Sequence, residues 1–160
     1  VTILASCQPE PPFNPCDQLA GDYADPEPWL TNPGDYPTDA DKAAYTATRS
    51  SLIVACDLAQ RIAPLKQQLN VTGYDEDQFI ADKFDAAIAF TSQHVGTLDP
   101  DTGEPVTLTW DAAPAELRQA ILMLAAHWYE NREATLVGIS ATDTPLGYWD
   151  LVTLHRRWVF

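Results

Sequence analysis

Positive charge is scarce in this 160-residue chain, where nine Lys and Arg stand against 23 Asp and Glu for a formal net charge of −14. No Lys or Arg precedes Lys42. Duplex DNA is a polyanion, so gripping its backbone takes basic surface that this chain mostly lacks. An acidic surface can still line the path of DNA without holding it. Long apolar runs are missing too. The run Ile121–Ala126 is far short of the roughly 20 residues that span a bilayer. Leu4-Ala-Ser-Cys7 has the look of a lipoprotein cleavage box, but no long apolar stretch or basic region precedes it. Neither a secreted nor a membrane protein is expected. The three cysteines, Cys7, Cys16 and Cys56, form an odd set without metal-type spacing, which favours free thiols in a reducing compartment. A Cys7–Cys16 bridge would close a short loop, but nothing demands it.

The motifs of catalysis are also missing. There is no phosphate-binding glycine loop, no nucleophile elbow and no Cys–His pair at a recognisable spacing. Carboxylates are plentiful, yet none stands out as half of an acid/base pair. No catalytic residue, metal or cofactor is expected.

Residues 1–38 hold eight of the thirteen prolines, along with Glu10, Asp17, Asp22, Asp25, Glu27 and Asp35. Proline removes backbone donors and fixes φ, which disfavours long helices and central strands. Phe13, Tyr23, Trp29, Leu30 and Tyr36 are scattered through the same stretch. A purely solvated tail carries fewer aromatics. The reading is an extended arm whose aromatics dock on its own domain or on a neighbour, weighed against a flexible linker.

Helical signals dominate the remainder. Thr38-Asp39 suits an N-cap for a helix from Ala40. Arg49–Cys56, with Leu52-Ile-Val-Ala55, fits either a buried strand or the end of that helix. Pro64 fits the first position of a short helix, Pro64–Leu69. Asp75-Glu-Asp77 places negative charge at a helix N-terminus. Ile80, Phe84, Ala87, Ile88, Thr91 and Val95 then form one face of an amphipathic helix over about 76–94, stopped near Gly96. Leu98–Pro105 reads as a turn, followed by a short strand at Val106–Trp110. Asp111 caps a last long helix, with Pro114 in its first turn, reaching about Ala134. Leu117, Ile121, Leu124 and Trp128 make one stripe on it, and Leu122, Met123, Ala125 and Ala126 spread apolarity around nearly the whole circumference. A helix apolar all round is buried on more than one side, which in so small a chain suggests burial by other subunits as well as by its own fold. Gly138 ends this region. Ser140–Gly147 is a loop and Tyr148–Leu154 a short amphipathic segment.

Two clusters hint at chemistry only faintly. His127, Glu130 and Asn131 share a helix face, but a metal site needs further ligands, and a polar seam across a helix or subunit contact explains them better. Asp99, Asp101, Gly103 and Glu104 lack the full calcium-loop pattern and read as a Pro/Gly turn. The end of the chain, His155-Arg-Arg-Trp-Val-Phe160, is basic and aromatic. Two arginines are too few for a nucleic-acid grip, whereas Trp and Arg are residue types that dominate protein interfaces.

Leu117-Arg-Gln-Ala-Ile-Leu-Met-Leu-Ala-Ala-His-Trp-Tyr-Glu-Asn-Arg-Glu-Ala134 resembles the signature helix of the phage head–tail connector family, the head-completion adaptors of long-tailed phages and gene transfer agents. Pro64–Leu69, Asp75–Asp77, Phe79-Ile80 with the Ala86–Ile88 helix, and Thr144-Pro-Leu-Gly-Tyr-Trp-Asp-Leu-Val-Thr-Leu-His-Arg156 resemble other parts of that family in the same order. The likeness covers about residues 62–158. The arm before residue 40 has no counterpart, and His155 stands where an aromatic is common. The resemblance implies a mainly α fold, and with the reading of the residues the expectation is a small bundle of about three to four helices with a short strand or hairpin element, an extended Pro-rich N-terminal arm and a C-terminal tail. The expected organisation is an arm over 1–38, a helical connector core over 39–138 and a portal-docking segment over 139–160.

The resemblance further implies a structural subunit of a dodecameric ring below the portal, joining the capsid to a stopper or tail-completion protein. DNA would pass through the ring without sequence-specific binding. The expected location is the portal vertex of the virion, with the host cytoplasm during assembly. Trp149, Leu154, Arg156, Arg157, Trp158 and Phe160 would meet the portal. Leu117, Ile121, Leu124, Trp128, Tyr129, Glu130 and Arg132 would serve subunit or helix packing. Two rivals predict different behaviour. An acidic binding module, or DNA-mimic inhibitor, would be a stable monomer competing with DNA. A metal-dependent hydrolase would lose bound metal and activity with His127→Ala.

Overall fold

The computed structural model describes residues 13–35, 38–96, 101–104, 106–132, 145 and 147–157. Five helices form among the described residues: α1 Pro15–Ala20, α2 Asp39–Leu69, α3 Asp77–Val95, α4 Ala115–Glu130 and α5 Tyr148–Thr153, with single 3-10 turns at Pro28–Leu30 and Pro33–Asp35. The chain is mainly helical, and no strand occurs among the described residues. Its described residues divide into two compact units. One runs up to Gln60 and includes Thr72–Asp75; the other comprises Arg61–Val71 and everything from Glu76 on.

In the first unit, Asn14 caps α1 by accepting from the Cys16 N–H at 3.0 Å, with Pro15 in the first turn. Thr38 and Asp41 form a reciprocal capping box at the start of α2. Thr38 Oγ1 accepts from the Asp41 N–H, and Asp41 Oδ2 accepts from the Thr38 N–H, each at 3.2 Å. Both pairs satisfy N–H groups that a helix start leaves open. Arg49–Cys56 is helix, so Tyr45, Leu52 and Cys56 fall on one buried stripe at steps of seven and four. The aromatics of the arm dock on that stripe. Tyr23 stacks on Tyr45 at 4.8 Å, and Trp29 meets Tyr45 edge-on at 6.1 Å. Tyr45 Oη donates to the Asp25 carbonyl at 2.7 Å, and Arg49 Nε donates to the Tyr23 carbonyl at 2.9 Å. Phe13 and Leu30 stay exposed, and Tyr36 lies outside the described residues.

Four sequence expectations are corrected here. Cys16 and Cys56 are not free thiols but a disulfide with Cα atoms 4.8 Å apart, because α1 folds back onto α2 across a 40-residue separation that spacing cannot reveal. Cys7 lies outside the described residues. Pro64 does not start a short helix. It sits inside the 31-residue α2, where it leaves the Gln60 carbonyl without its helical donor. The helix continues because the turn around it is fixed, with Ile62 and Leu65 fully buried and Lys66 paired. Val106–Trp110 is not a strand. The Leu108 N–H donates to Ser92 Oγ at 2.8 Å, so its backbone is satisfied by a side chain rather than by a ladder. Finally, Asp111 is not the cap of α4: Pro114 occupies that position, and the helix ends at Glu130.

The second unit is built around α3, α4 and α5, which pack on one another. α3 buries Ile80, Ala81, Phe84, Ala87, Thr91 and Val95, the face its periodicity predicts, and it stops at Gly96 with φ +67°. Glycine favours this left-handed closure because it has no Cβ to clash. Trp110 lies edge-on to Phe84 at 5.0 Å, while Leu108 and Ala113 are buried beside the start of α4. Tyr148, at the start of α5, is fully buried and hydrogen-bonds through its hydroxyl to Thr91 Oγ1 at 3.0 Å. Burial pushes its pKa up, with the Thr91 bond opposing. Arg157 donates its backbone N–H to the Val95 carbonyl at 3.0 Å, tying the residues after α5 to the end of α3.

Candidate interaction surface

The signature helix divides its residues by depth. Leu117, Ile121 and Leu124, with Ala120 and Ala125, are buried in the core of their own unit. Leu122, Met123 and Ala126 are only half-buried. The helix is thus covered by α3 and α5 within the chain, and this second flank keeps apolar surface in contact with solvent. His127 Nδ1 lies 3.2 Å from the Asn131 amide, which also donates to the His127 carbonyl at 2.9 Å. These two residues close the end of α4. No group of three or more potential metal ligands gathers among the described residues.

Tyr129 and Arg132 reach back to the start of α3. The Tyr129 hydroxyl donates a short hydrogen bond to Glu76 Oε2, and Arg132 Nη2 lies 2.7 Å from Glu76 Oε1. The Arg132 guanidinium also lies 4.6 Å from the Phe79 ring and 4.8 Å from the Tyr129 ring, a cation–π arrangement. The Tyr129 hydrogen bond, then that of Arg132, holds the Glu76 carboxyl below its usual value of 4.5. The same bond to Glu76 pushes the Tyr129 hydroxyl up, and the pairing raises Arg132. Glu76 and Phe79 were not singled out as site residues from sequence. The signal available was the acidic start of α3, read as serving the helix dipole alone. Glu76 and Asp77 each have a partner instead: Asp77 is buried and pairs with buried Lys66 at 2.6 Å. Glu130 is exposed at the end of α4.

An aromatic cluster joins the three helices. Phe90 lies 5.8 Å from Trp128 in an edge-on contact, 6.1 Å from Tyr148 and 6.3 Å from Trp149. His94 meets Phe90 at 4.3 Å and Trp149 at 5.0 Å. Trp149 nevertheless remains 42% exposed and Leu154 76% exposed. Arg156 and Arg157 are exposed as well. His155 faces Glu116, 3.7 Å between Nε2 and Oε2. Trp158 and Phe160 lie outside the described residues. The firmly seated helix α5 and the residues that follow it therefore present a large aromatic, a leucine and two arginines to solvent.

The model of the phage gp6-like head-tail connector proteins matches residues 60–156, more than half of the chain. The chain belongs to that family. The match opens one residue before the second compact unit and includes α3, α4, α5 and the last turns of α2. No curated protein and no solved structure gives a significant match. Head-tail connectors are structural proteins of the phage particle, so this connector is a virion component that works against other head or tail proteins. No described helix is long and apolar enough to cross a membrane. Residues 1–59, which include α1 and most of α2, fall outside the matched residues.

Proposed function

We propose that the chain is a ring-forming adaptor subunit without enzymatic activity, seated below the portal and joining the capsid to a stopper or tail-completion protein. The observation that carries this reading is the exposed set Trp149, Leu154, Arg156 and Arg157 on and after a well-seated α5. Exposed Trp and Leu lose contact with water only when a partner covers them, and Trp and Arg are the residues on which interface energy concentrates. The portal is the partner, and Trp158 and Phe160 extend the same docking segment, 139–160. The half-buried flank of α4, with Leu122 and Met123, supports packing against the next copy in the ring. Trp128, Tyr129, Glu130 and Arg132 lie on or just beyond the end of that helix. The acidic balance of the chain supports a bore that passes DNA without holding it. Residues 1–38 act as an arm outside the shared connector core.

Electron microscopy of particles tests the assignment. Density for this chain in a ring at the portal vertex is the expected result. Density confined to another part of the particle, or a chain that stays monomeric in the presence of portal protein, would overturn it.

A further inference from the structure

We infer that residues 16–31 form a redox-controlled clasp on α2, closed by the Cys16–Cys56 disulfide and opened by thiol exchange at Cys16 with Gln60 assisting. Residues 16–31 and Cys56 precede the family match, and the clasp stands independently of the ring and portal reading. Three observations carry it. The segment lies along one stripe of α2 in antiparallel order: Cys16 is bonded to Cys56, Tyr23 lies at Arg49, and Asp25 and Trp29 lie at Tyr45. Besides the covalent tie, aromatic contacts and part-buried hydrogen bonds, which compete with water, hold the segment. The third observation is an asymmetry at the sulfurs. Cys56 is 6% exposed whereas Cys16 is half-buried, and Gln60 Nε2 lies 3.3 Å from Cys56 Sγ and 3.7 Å from Cys16 Sγ.

This asymmetry sets the direction of the chemistry. An incoming thiolate reaches Cys16 Sγ and forms a mixed disulfide there. The sulfur–sulfur bond to Cys56 breaks, and Cys56 leaves as a thiolate that accepts a hydrogen bond from the Gln60 amide. A leaving thiol whose thiolate is stabilised leaves faster. With a dithiol reductant, the reductant's second thiol then releases Cys16 and the reductant becomes a disulfide. Closure runs in reverse. The two cysteine thiols give up two protons and two electrons, and an external disulfide of the glutathione type accepts the electrons and becomes two thiols. The open form bares the stripe Tyr45, Leu52 and Cys56; the closed form covers it. Gln60 is a positioning residue for this exchange.

Hydrogen exchange on the full chain, oxidised with glutathione disulfide or reduced with dithiothreitol, tests the clasp. Reduction is expected to speed exchange in residues 16–31 by about tenfold or more, with less than about a twofold change in α3 and α4. Cys16→Ser should reproduce the reduced pattern, and Cys7→Ser should leave it untouched. If Cys16→Ser does not fold, the wild-type chain in the two buffers gives the same reading. Unchanged protection of residues 16–31 on reduction overturns the clasp. So does loss of protection in all helices together, because the bond would then be a staple of the whole fold. Gln60→Ala should slow reduction of the bond by dithiothreitol about threefold or more while leaving exchange in the oxidised form unchanged. An equal reduction rate removes Gln60 from the step.

Discussion

Lys66 and Asp77 bring opposite charges together where water is excluded, 2.6 Å apart and both buried. Removing one partner strands the other charge, which typically costs about 3–5 kcal/mol, whereas replacing both by apolar groups is often neutral. Lys66→Met alone is therefore expected to lower the denaturation midpoint sharply, by roughly 10 °C in a chain of this size. Lys66→Met with Asp77→Leu should recover most of the loss, and thermal unfolding of the three proteins checks the cycle. Glu76 behaves differently because it is only half-buried. Its carboxyl is held below 4.5 by Tyr129 and then Arg132, so the ionised form is favoured in the folded chain. The stability it contributes is fully present above 4.5 and is lost as pH falls through the lower folded value. The wild-type advantage over Glu76→Gln should accordingly shrink as the pH is taken down below 4.5. Denaturant melts of both proteins at a series of acidic pH values measure it, and a constant difference would remove Glu76 from the acid response. Gly147 is a third such residue. Its φ of +88° opens α5, so Gly147→Ala should cost about 1 kcal/mol or more through backbone strain alone.

At the scale of elements, the amphipathic pattern of α3 was legible because a surface helix repeats its apolar residues at three and four, and Ile80, Phe84, Thr91 and Val95 are buried as that repeat requires. The signature run in α4 was legible for another reason. Its His127–Arg132 half is distinctive as a string, although the role of that string needed Glu76 and Phe79, about fifty residues earlier in the chain, to become visible. α2 was read in pieces because proline is a local stop signal. Burial of Ile62 and Leu65 on either side of Pro64 overrides it, and burial is not written in a short window. The expected strand at Val106–Trp110 failed for a related reason: Ser92, on another element, supplies the acceptor for Leu108. The disulfide was hidden because a pairing across 40 residues depends on α1 turning back along α2. Cross-linking a loop of that length stabilises by about 4 kcal/mol in the chain-entropy description. The first unit of the Cys16→Ser chain should thus melt earlier than that of the oxidised wild type and coincide with that of the reduced wild type, a comparison that calorimetry in the presence and absence of reductant makes directly.

At the scale of the whole molecule, charge sets a condition on assembly. Each copy carries a formal −14, and residues 1–38 hold six of the acidic residues and no Lys or Arg. Copies brought side by side in a ring repel one another, and salt screens that repulsion, with a Debye length near 30 Å at about 0.01 M and near 8 Å at about 0.15 M. A proposed ring held by apolar contacts along α4 should therefore form more readily as salt rises. A protein that gripped DNA would behave in the opposite sense, because each phosphate contact releases counterions and weakens with salt. The two dependences separate the conduit from the clamp in a single titration. Sedimentation of the chain with portal protein should show assembly increasing from low to moderate salt. Duplex DNA mixed with the same samples should sediment independently at every salt concentration. Trp149→Ala with Leu154→Ala removes the exposed side chains but keeps Tyr148 and Val152 in the core. This variant should fold, with helical content unchanged, while its affinity for portal falls about thirtyfold, the loss of one interface hot spot of about 2 kcal/mol. Portal binding that survives the double substitution would move the docking surface away from α5.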